Sequence, residues 1–466
     1  MGETPRACDS QWFSRASGAR LERPGSAPIE RVETDSRAAG PGVLFVALRG
    51  ERVDGHDYAA SACASGAAAV LVSGQWYRER GASALAAYSS AVICADDPLA
   101  ALQRAATEYR KLFPSLKRIG VTGSSGKTTV KELTAAILAR SRPVARNPGN
   151  MNSEIGLPAS VFLLRPEHTA AVFELGINHS GEMDILAGVW EPDCAVINNI
   201  GSAHIGLLGG TREGIADEKR KIASRFTGSQ TLIVWEDDPF RDRLCAGVRG
   251  RCLTFGPRSV DGFEGARSLG LEGWLLRYRG VNARLALPGG HNLLNALAAI
   301  RVAELYGAGA DDVRDGLASA LPLAGRSEII RGPVTIVNDS YNANAESALA
   351  AIAFCDDAEA GRRIYVLGSM KELGAESDAA HRRVGAAAAV SKAELLYFYG
   401  DETRPAHEEA LRVGKASYHF DNYDDLAQAV KAVAREGDLV LLKASRSMAL
   451  ERLVDALRSI GGTHVS

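Results

Sequence analysis

Short apolar runs bounded by glycine, proline or charged residues recur along this chain, and they fall into three blocks. Before Pro114 the runs are "VLFVALRG" (43–50), "AAAVLVS" (67–73) and "AVICAD" (91–96). They are followed by "PLAALQRAATEYRKLF" (98–113), whose apolar spacing predicts a helix. Pro114 ends that helix and sets the first boundary, giving a block over 1–114. In the middle block, 115–324, "RIGVTG", "TAAVFELG", "CAVINNIG" and "TLIVWEDD" read as buried parallel strands with helical segments between them. A hairpin-like segment, "WLLRYRGVNARLALPG", leads into the helical "HNLLNALAAIRVAELYG". The last block, 325–466, repeats the alternation with "VTIVND", "RRIYVLG", "AELLYFYG" and "DLVLLKA", and closes on an expected amphipathic helix, "SMALERLVDALRSI". Strand–helix alternation of this kind predicts α/β domains with doubly wound sheets. The last block has no GxGxxG after its first strand, so it is not a standard dinucleotide binder.

Composition narrows the class without changing the architecture. A length of 466 residues exceeds what one core usually supports, in keeping with three domains. Lys plus Arg (54) nearly balance Asp plus Glu (56), and no basic block stands out, so a nucleic-acid partner is not expected. The seven cysteines include no CxxC pair, which argues against a disulfide framework or a zinc site and for a reducing compartment. The first 25 residues lack the apolar core of a secretory signal, and no run approaches the ~18 apolar residues of a membrane span. A cytoplasmic protein is expected.

The strongest chemical signal is "GVTGSSGKTT" (120–129), a strand, a glycine-rich turn and a helix start. Such a turn aims backbone N–H groups and a helix N-terminus at an anion. Gly123, Ser124, Ser125, Gly126, Lys127, Thr128 and Thr129 therefore read as a phosphate cradle, with Lys127 on the outer phosphates and Thr128 on Mg2+. Val121 stands where the full phosphate-loop pattern has glycine. Glu174 ends an apolar run and reads either as a Mg2+ ligand or as a solvated strand-end acid. His204 is a loop or core histidine more readily than a ligand, and Lys219 in "GIADEKRKI" reads as a solvated helix face. Asp339, before the polar turn Ser340-Tyr341-Asn342-Ala343-Asn344, is a nucleotide contact or an Asx-rich helix entry; Asn292 is a cap or an adenine contact. "HEEALR" (407–412) lacks the second histidine of HExxH and is read as a helix start.

In order along nearly the whole chain, these stretches resemble the Mur ligases, the ATP-dependent amide-forming enzymes of peptidoglycan precursor synthesis. The resemblance rests on "TDSRAAGPGVLFVALRGERVDGHDY" (34–58), "VTGSSGKTT", "NPGNMNSEIGLP" (147–158), "ELGINHSGEMDIL" (174–186), "NNIGSAHIG", "GGHNLLNALAA", "NDSYNANAES", "VLGSMKELG" (366–374) and "LLKASRSMALE" (441–451). The family's own phosphate loop is shortened, which accounts for Val121. The resemblance implies a small UDP-sugar-binding domain, a central phosphate-loop ATPase-like domain and a C-terminal Rossmann-like domain. It implies transfer of D-Ala-D-Ala onto a UDP-N-acetylmuramoyl-tripeptide through an acyl phosphate. "ELGIN", "SRSM" and the lack of an Asp-Asn-Pro-Arg motif favour that member over the sibling that adds the third amino acid. Alternatives are a folylpolyglutamate synthase-like ligase and, in a different class, a phosphate-loop kinase or nucleotide-gated binding protein.

The same resemblance assigns roles. Thr128 and Glu174 would hold the Mg2+ on ATP. His204 and a carbamylated Lys219 would hold a second Mg2+, with Lys219 chosen over Lys221 because it lies three residues before Ile222. Lys127, Glu174, His204 and Lys219 are thus the implied catalytic set. Asn292, Arg326, Asp339 and Tyr341 would contact the nucleotide, Asp35, Ser36 and Arg37 the UDP-sugar, and Asn150 and Asn152 the reacting end of the acceptor. A monomer is expected. Ser369, Ala345 and Ala444 depart from the usual Asp, Pro and Gly of the family.

Overall fold

Val43–Val46 is apolar at every position because both of its faces are covered: Leu44 and Val46 enter one buried cluster, Phe45 the opposite one. It lies inside a five-stranded sheet ordered Arg20–Arg23, Ala91–Ala95, Ala69–Ser73, Val43–Val46, Arg31–Glu33, parallel except for the first. The computed structural model describes residues 8–50 and 52–460.

The central sheet is wholly parallel, in the order Arg251–Phe255, Thr231–Trp235, Cys194–Ile197, Lys117–Thr122, Ala170–Glu174, Val144–Arg146. Side chains again alternate: Val121, Val172 and Val196 pack beneath the helices Lys127–Leu138 and Gly290–Leu305, while Phe173 and Ile197 face the other layer. There Trp190 stacks on Phe173 with ring centroids 4.2 Å apart and donates its indole N–H to the Ile119 carbonyl at 3.0 Å. That bond lets a polar indole be fully buried. The expected hairpin forms Trp274–Tyr278 and Val281–Leu285, turned at Arg279 (φ 44°) and Gly280 (φ 78°), both left-handed as a two-residue turn requires. Phe263–Ser268 adds a third, antiparallel strand.

The last sheet runs Glu328–Ile330, Thr335–Asp339, Asp438–Lys443, Arg362–Gly368, Leu395–Tyr399, Ser417–Phe420, parallel except for the first. Two expectations are corrected. The segment 447–460 is not one amphipathic helix: two short 3-10 turns meet at Ala449 (φ 49°), and only Leu453–Arg458 is α-helical. Leu450, Leu453 and Leu457 still reach the core, which is what the apolar spacing recorded. Cys245 and Cys252 are bonded, closing a short local loop, although the sequence pointed to reduced thiols; the five other cysteines are free and buried. Among the described residues no helix is long and apolar enough to cross a membrane.

Candidate functional site

The turn after Lys117–Thr122 sits at the C-terminal edge of the central sheet, between the ends of Ala170–Glu174 and Cys194–Ile197, where open parallel sheets bind ligands. Gly126 (φ 76°) caps the helix Lys127–Leu138, with neither a side-chain cap nor an acid in the first turn. The helix's first N–H groups are therefore left for an anion, as a phosphate cradle needs. Buried amides brace the turn from behind. Asn198 donates to the Ser125 carbonyl (2.9 Å) and to Asn295 (2.8 Å), and Asn199 accepts from the Ser125 N–H (2.9 Å). A Cβ on Gly126 would lie 2.4 Å from Asn295 Oδ1 and 2.5 Å from Asn198 Nδ2, so only glycine fits.

Thr128 donates its hydroxyl to Glu174 Oε2 at 2.6 Å, and Asn152 donates to Glu174 Oε1 at 2.7 Å. Glu174 is 2% exposed, so the reading as a solvated strand-end acid is set aside. Its backbone is clamped on both sides by Asn147, whose Oδ1 accepts from the Glu174 N–H (2.9 Å) while its Nδ2 donates to the Glu174 carbonyl (3.0 Å). Fully buried Lys131 donates in turn to the Asn147 carbonyl (2.7 Å). Lys127 rests its amine on the Gly123 carbonyl at 3.0 Å. Burial pulls that ammonium's pKa down, Glu174 opposes the shift and Arg326 adds to it.

Lys219 overturns its surface reading. It is 1% exposed, and burial, reinforced by the charge of Lys127, holds its amine well below the ordinary lysine range. Two residues on, Lys221 is paired with Glu218 (2.9 Å) and Asp184 (3.0 Å), which push its pKa up. The helix Arg212–Arg220 thus presents one amine inward, without a hydrogen bond among the described residues, and leaves the other ion-paired outside. His204 has a left-handed backbone (φ 59°) and stands against the Glu372 carboxylate of the last block. Burial lowers its pKa, and Lys127 and Lys219 both contribute, which places the three in one electrostatic neighbourhood.

The last block reaches the loop directly. Asn344 donates to Ser125 Oγ (3.0 Å), and Glu346 accepts from the Ser202 hydroxyl (2.7 Å). Arg326 stacks on Tyr341 at 3.8 Å. Asp339 accepts from the Ser327 N–H (2.9 Å) and pairs with Lys443 (2.8 Å). Asn292 is buried, donating to the Pro288 carbonyl (2.7 Å) and accepting from Asn295 (3.1 Å), so it forms part of the amide chain behind the loop. Asn150 is exposed and gives its carbonyl to the Asn152 N–H (2.7 Å). Asp35, Ser36 and Arg37 form an exposed turn of the first sheet, where the Arg37 guanidinium holds the Asp35 carboxyl down at about 2; this turn is not hydrogen-bonded to the phosphate loop. Sequence reasoning did not single out Asn147, Asn198, Asn199, Asn295, Glu346 or Glu372, whereas the Asx-rich helix entry it read at 340–344 is present, with Asn344 capping Ala345–Asp357. The dense asparagines of "NNIG" and "SYNAN" were the available signal.

A shortened phosphate loop, a buried carboxylate on its threonine and a desolvated lysine in one cleft define an ATP-using ligase fold, and the comparisons agree. Residues 28–110 match the Mur ligase family catalytic domain, 121–303 the Mur ligase middle domain and 325–446 the Mur ligase glutamate ligase domain. The chain belongs to the Mur ligase family. It is 41% identical over 453 residues to the UDP-N-acetylmuramoyl-tripeptide--D-alanyl-D-alanine ligase of Treponema pallidum, covering 95% of this chain and 96% of that one. Its structure is similar to that of the UDP-N-acetylmuramoylalanyl-D-glutamyl-2,6-diaminopimelate--D-alanyl-D-alanyl ligase from Acinetobacter baumannii (TM-score 0.82, 28% identity, 98% and 99% of the two chains). It is also similar to MurF ligase from Thermotoga maritima in complex with ADP (TM-score 0.77, 28% identity, 92% and 97% of the two chains).

Proposed function

We infer that this chain is an ATP-dependent ligase that joins D-Ala-D-Ala to the terminal carboxyl of a UDP-N-acetylmuramoyl-tripeptide, making the pentapeptide precursor of peptidoglycan. Likeness to UDP-N-acetylmuramoyl-tripeptide--D-alanyl-D-alanine ligases along nearly the whole chain carries the choice of substrates. The meeting of Thr128, Glu174 and Asn152 carries the chemistry.

A carboxylate is a poor acyl donor because oxide does not leave. One acceptor oxygen attacks the γ-phosphorus of ATP, the bond to the β-phosphate oxygen breaks, and ADP departs from an acyl phosphate. Lys127 would leave the Gly123 carbonyl for the phosphates, and positioning with charge neutralisation supplies most of the acceleration. The dipeptide amine then attacks the acyl carbon, the bond to the phosphate oxygen breaks, and the amine gives up its proton. Thr128 and Glu174 offer a hydroxyl and a carboxylate, hard oxygen donors that suit Mg2+. Magnesium would supply charge neutralisation at the transferring phosphoryl group.

Lys219 is suited to carbamylation because it is buried and its depressed pKa favours the neutral amine: the nitrogen lone pair bonds to the carbon of CO2, one N–H proton is released to solvent, and a neutral amine becomes a carbamate anion. With His204 it would hold a second Mg2+. Lys221, kept as an ammonium by two carboxylates, is not suited. The first domain, to about residue 114, would take the UDP-sugar through Asp35, Ser36 and Arg37. The middle domain, 115–324, would take ATP, and Asn292 would reach the adenine only by releasing the Pro288 carbonyl that its amide now holds. The last, 325–466, brings Arg326, Asp339 and Tyr341 to the nucleotide and binds the dipeptide, and Asn150 and Asn152 serve the acceptor's reacting end. All these residues lie on one chain, so a monomer suffices, and the need for ATP places it in the cytoplasm.

The test is release of ADP and phosphate from ATP in the presence of each substrate. Turnover requiring both the UDP-linked tripeptide and D-Ala-D-Ala is the expected result. Turnover indifferent to the dipeptide would sink the ligase reading and leave a kinase or nucleotide-gated protein.

A further inference from the structure

Lys131 carries an amine that the reaction does not use and the fold hides completely. It stands on the helix Lys127–Leu138, four residues after Lys127 and three after Thr128, on the helix face that also carries them. Its three donors find three acceptors: the Asn147 carbonyl at 2.7 Å, the Gly149 carbonyl at 3.3 Å and Glu132 Oε1 at 3.0 Å. Both carbonyls belong to the stretch 147–152, which carries Asn150 and Asn152. Asn147 holds the Glu174 backbone, and Glu174 accepts from Thr128, which returns the chain of contacts to the same helix. Lys131, Asn147, Glu174 and Thr128 thus close a ring. Asn152 is fixed to it, donating to Glu174 Oε1 (2.7 Å) and giving its carbonyl to the Gly176 N–H (2.9 Å).

Burying an ammonium costs desolvation energy that packing alone does not return. Among the described residues its one carboxylate partner is Glu132, which is partly in solvent and shared with Arg146 (3.0 Å). An apolar side chain of similar length would fill the same space with less penalty. It could not hold two loop carbonyls in register. We propose that Lys131 is a positioning residue for the acceptor. It ties the loop 147–152 to the phosphate-loop helix, so that the acceptor's terminal carboxyl meets the γ-phosphate in a fixed register. This rests on the ligase reading above.

The test is steady-state ligation by wild type, Lys131→Met and Lys131→Gln, varying the UDP-linked tripeptide and D-Ala-D-Ala in turn. Binding of a fluorescent ATP analogue without acceptor is measured beside it. Both variants should bind the analogue within about twofold of wild type, since Lys127, Thr128 and the turn itself are untouched. KM for the tripeptide should rise about tenfold or more and kcat fall by a similar factor, while KM for the dipeptide moves less than about twofold. A role in the fold alone would lower kcat through the active fraction and leave both KM values in place. A double-mutant cycle with Asn152→Ala supplies the second arm. The combined effect on the tripeptide KM should fall well short of the product of the single effects, because both side chains act through one loop. An unchanged tripeptide KM, equal rises in both KM values or a full product overturns the proposal. Loss of analogue binding in both variants overturns it as well, by assigning Lys131 to the fold. No tripeptide-dependent turnover by wild type would refute the ligase reading itself, and this assignment with it.

Discussion

Replacing Gly126 with alanine separates two effects that glycine usually hides together. Gly126 and Gly280 have almost the same left-handed backbone (φ 76° and 78°), but a Cβ on Gly280 meets nothing within 4 Å. At Gly126 it meets Asn295 Oδ1 at 2.4 Å and Asn198 Nδ2 at 2.5 Å. The left-handed conformation costs a residue with a Cβ about 1–2 kcal/mol, offset by about 0.4–1 kcal/mol from the stiffer unfolded chain. Gly280→Ala should therefore lose about 1 kcal/mol. Gly126→Ala must also push apart the Asn198–Asn295 bond (2.8 Å), leaving two buried amide groups short of a partner at about 1–3 kcal/mol each. For a domain of this size, 1 kcal/mol moves the midpoint by about 2–4 °C. Scanning calorimetry of the full chain should show a fall of roughly 3 °C for Gly280→Ala and roughly 10 °C for Gly126→Ala. A fluorescent ATP analogue should bind normally to the first variant and weakly to the second. Melting points within about 2 °C of each other would refute the claim that the amides behind the loop are rigid.

Three further outcomes follow from the site. Thr128→Val keeps the shape but removes the hydroxyl that meets Glu174, and kcat should fall about a hundredfold with a raised Mg2+ requirement in steady-state assays; a change under about threefold would contradict the role. Lys219→Ala should abolish ligation, with partial recovery in short-chain carboxylates, whereas Lys221→Ala should retain most of it; equal losses would refute the distinction drawn from their burial. At Glu402, burial alone would raise the carboxyl, but hydrogen bonds from Lys371 and Ser369 prevail and bring it down to about 2. Its stabilisation is therefore complete above about pH 4.5 and lost as pH falls toward 2. Urea midpoints of wild type and Glu402→Gln should differ at pH 7 and converge as pH falls through that window; a pH-independent gap would show that the charge does not matter.

Glu402 is also the partner of Ser369, one of the positions that depart from the family pattern. Ser369 Oγ donates to Glu402 Oε2 at 2.7 Å, and Lys371 sits on the other oxygen, so the serine is held by a carboxylate from the turn after the next strand. Nothing near position 369 in the sequence announces this.

What the sequence determined by itself was whatever neighbouring residues encode. Strand periodicity, the turn at Gly123–Gly126 with Lys127 and Thr128, and the acid closing "AAVFELG" all depend on adjacent backbone and side chains, so they were legible from the letters. Burial and electrostatic environment are sums over residues far apart in the chain, and those only the tertiary structure decided. "DEKRK" reads as a solvated face until the helix is seen to bury Lys219 and ion-pair Lys221. Asn198 and Asn295 brace the loop across 97 positions, and Asn344 reaches Ser125 across 219. A lysine's charge state and a glycine's necessity are set by what packs against them, and in this chain the packing partners come from other strands and another domain.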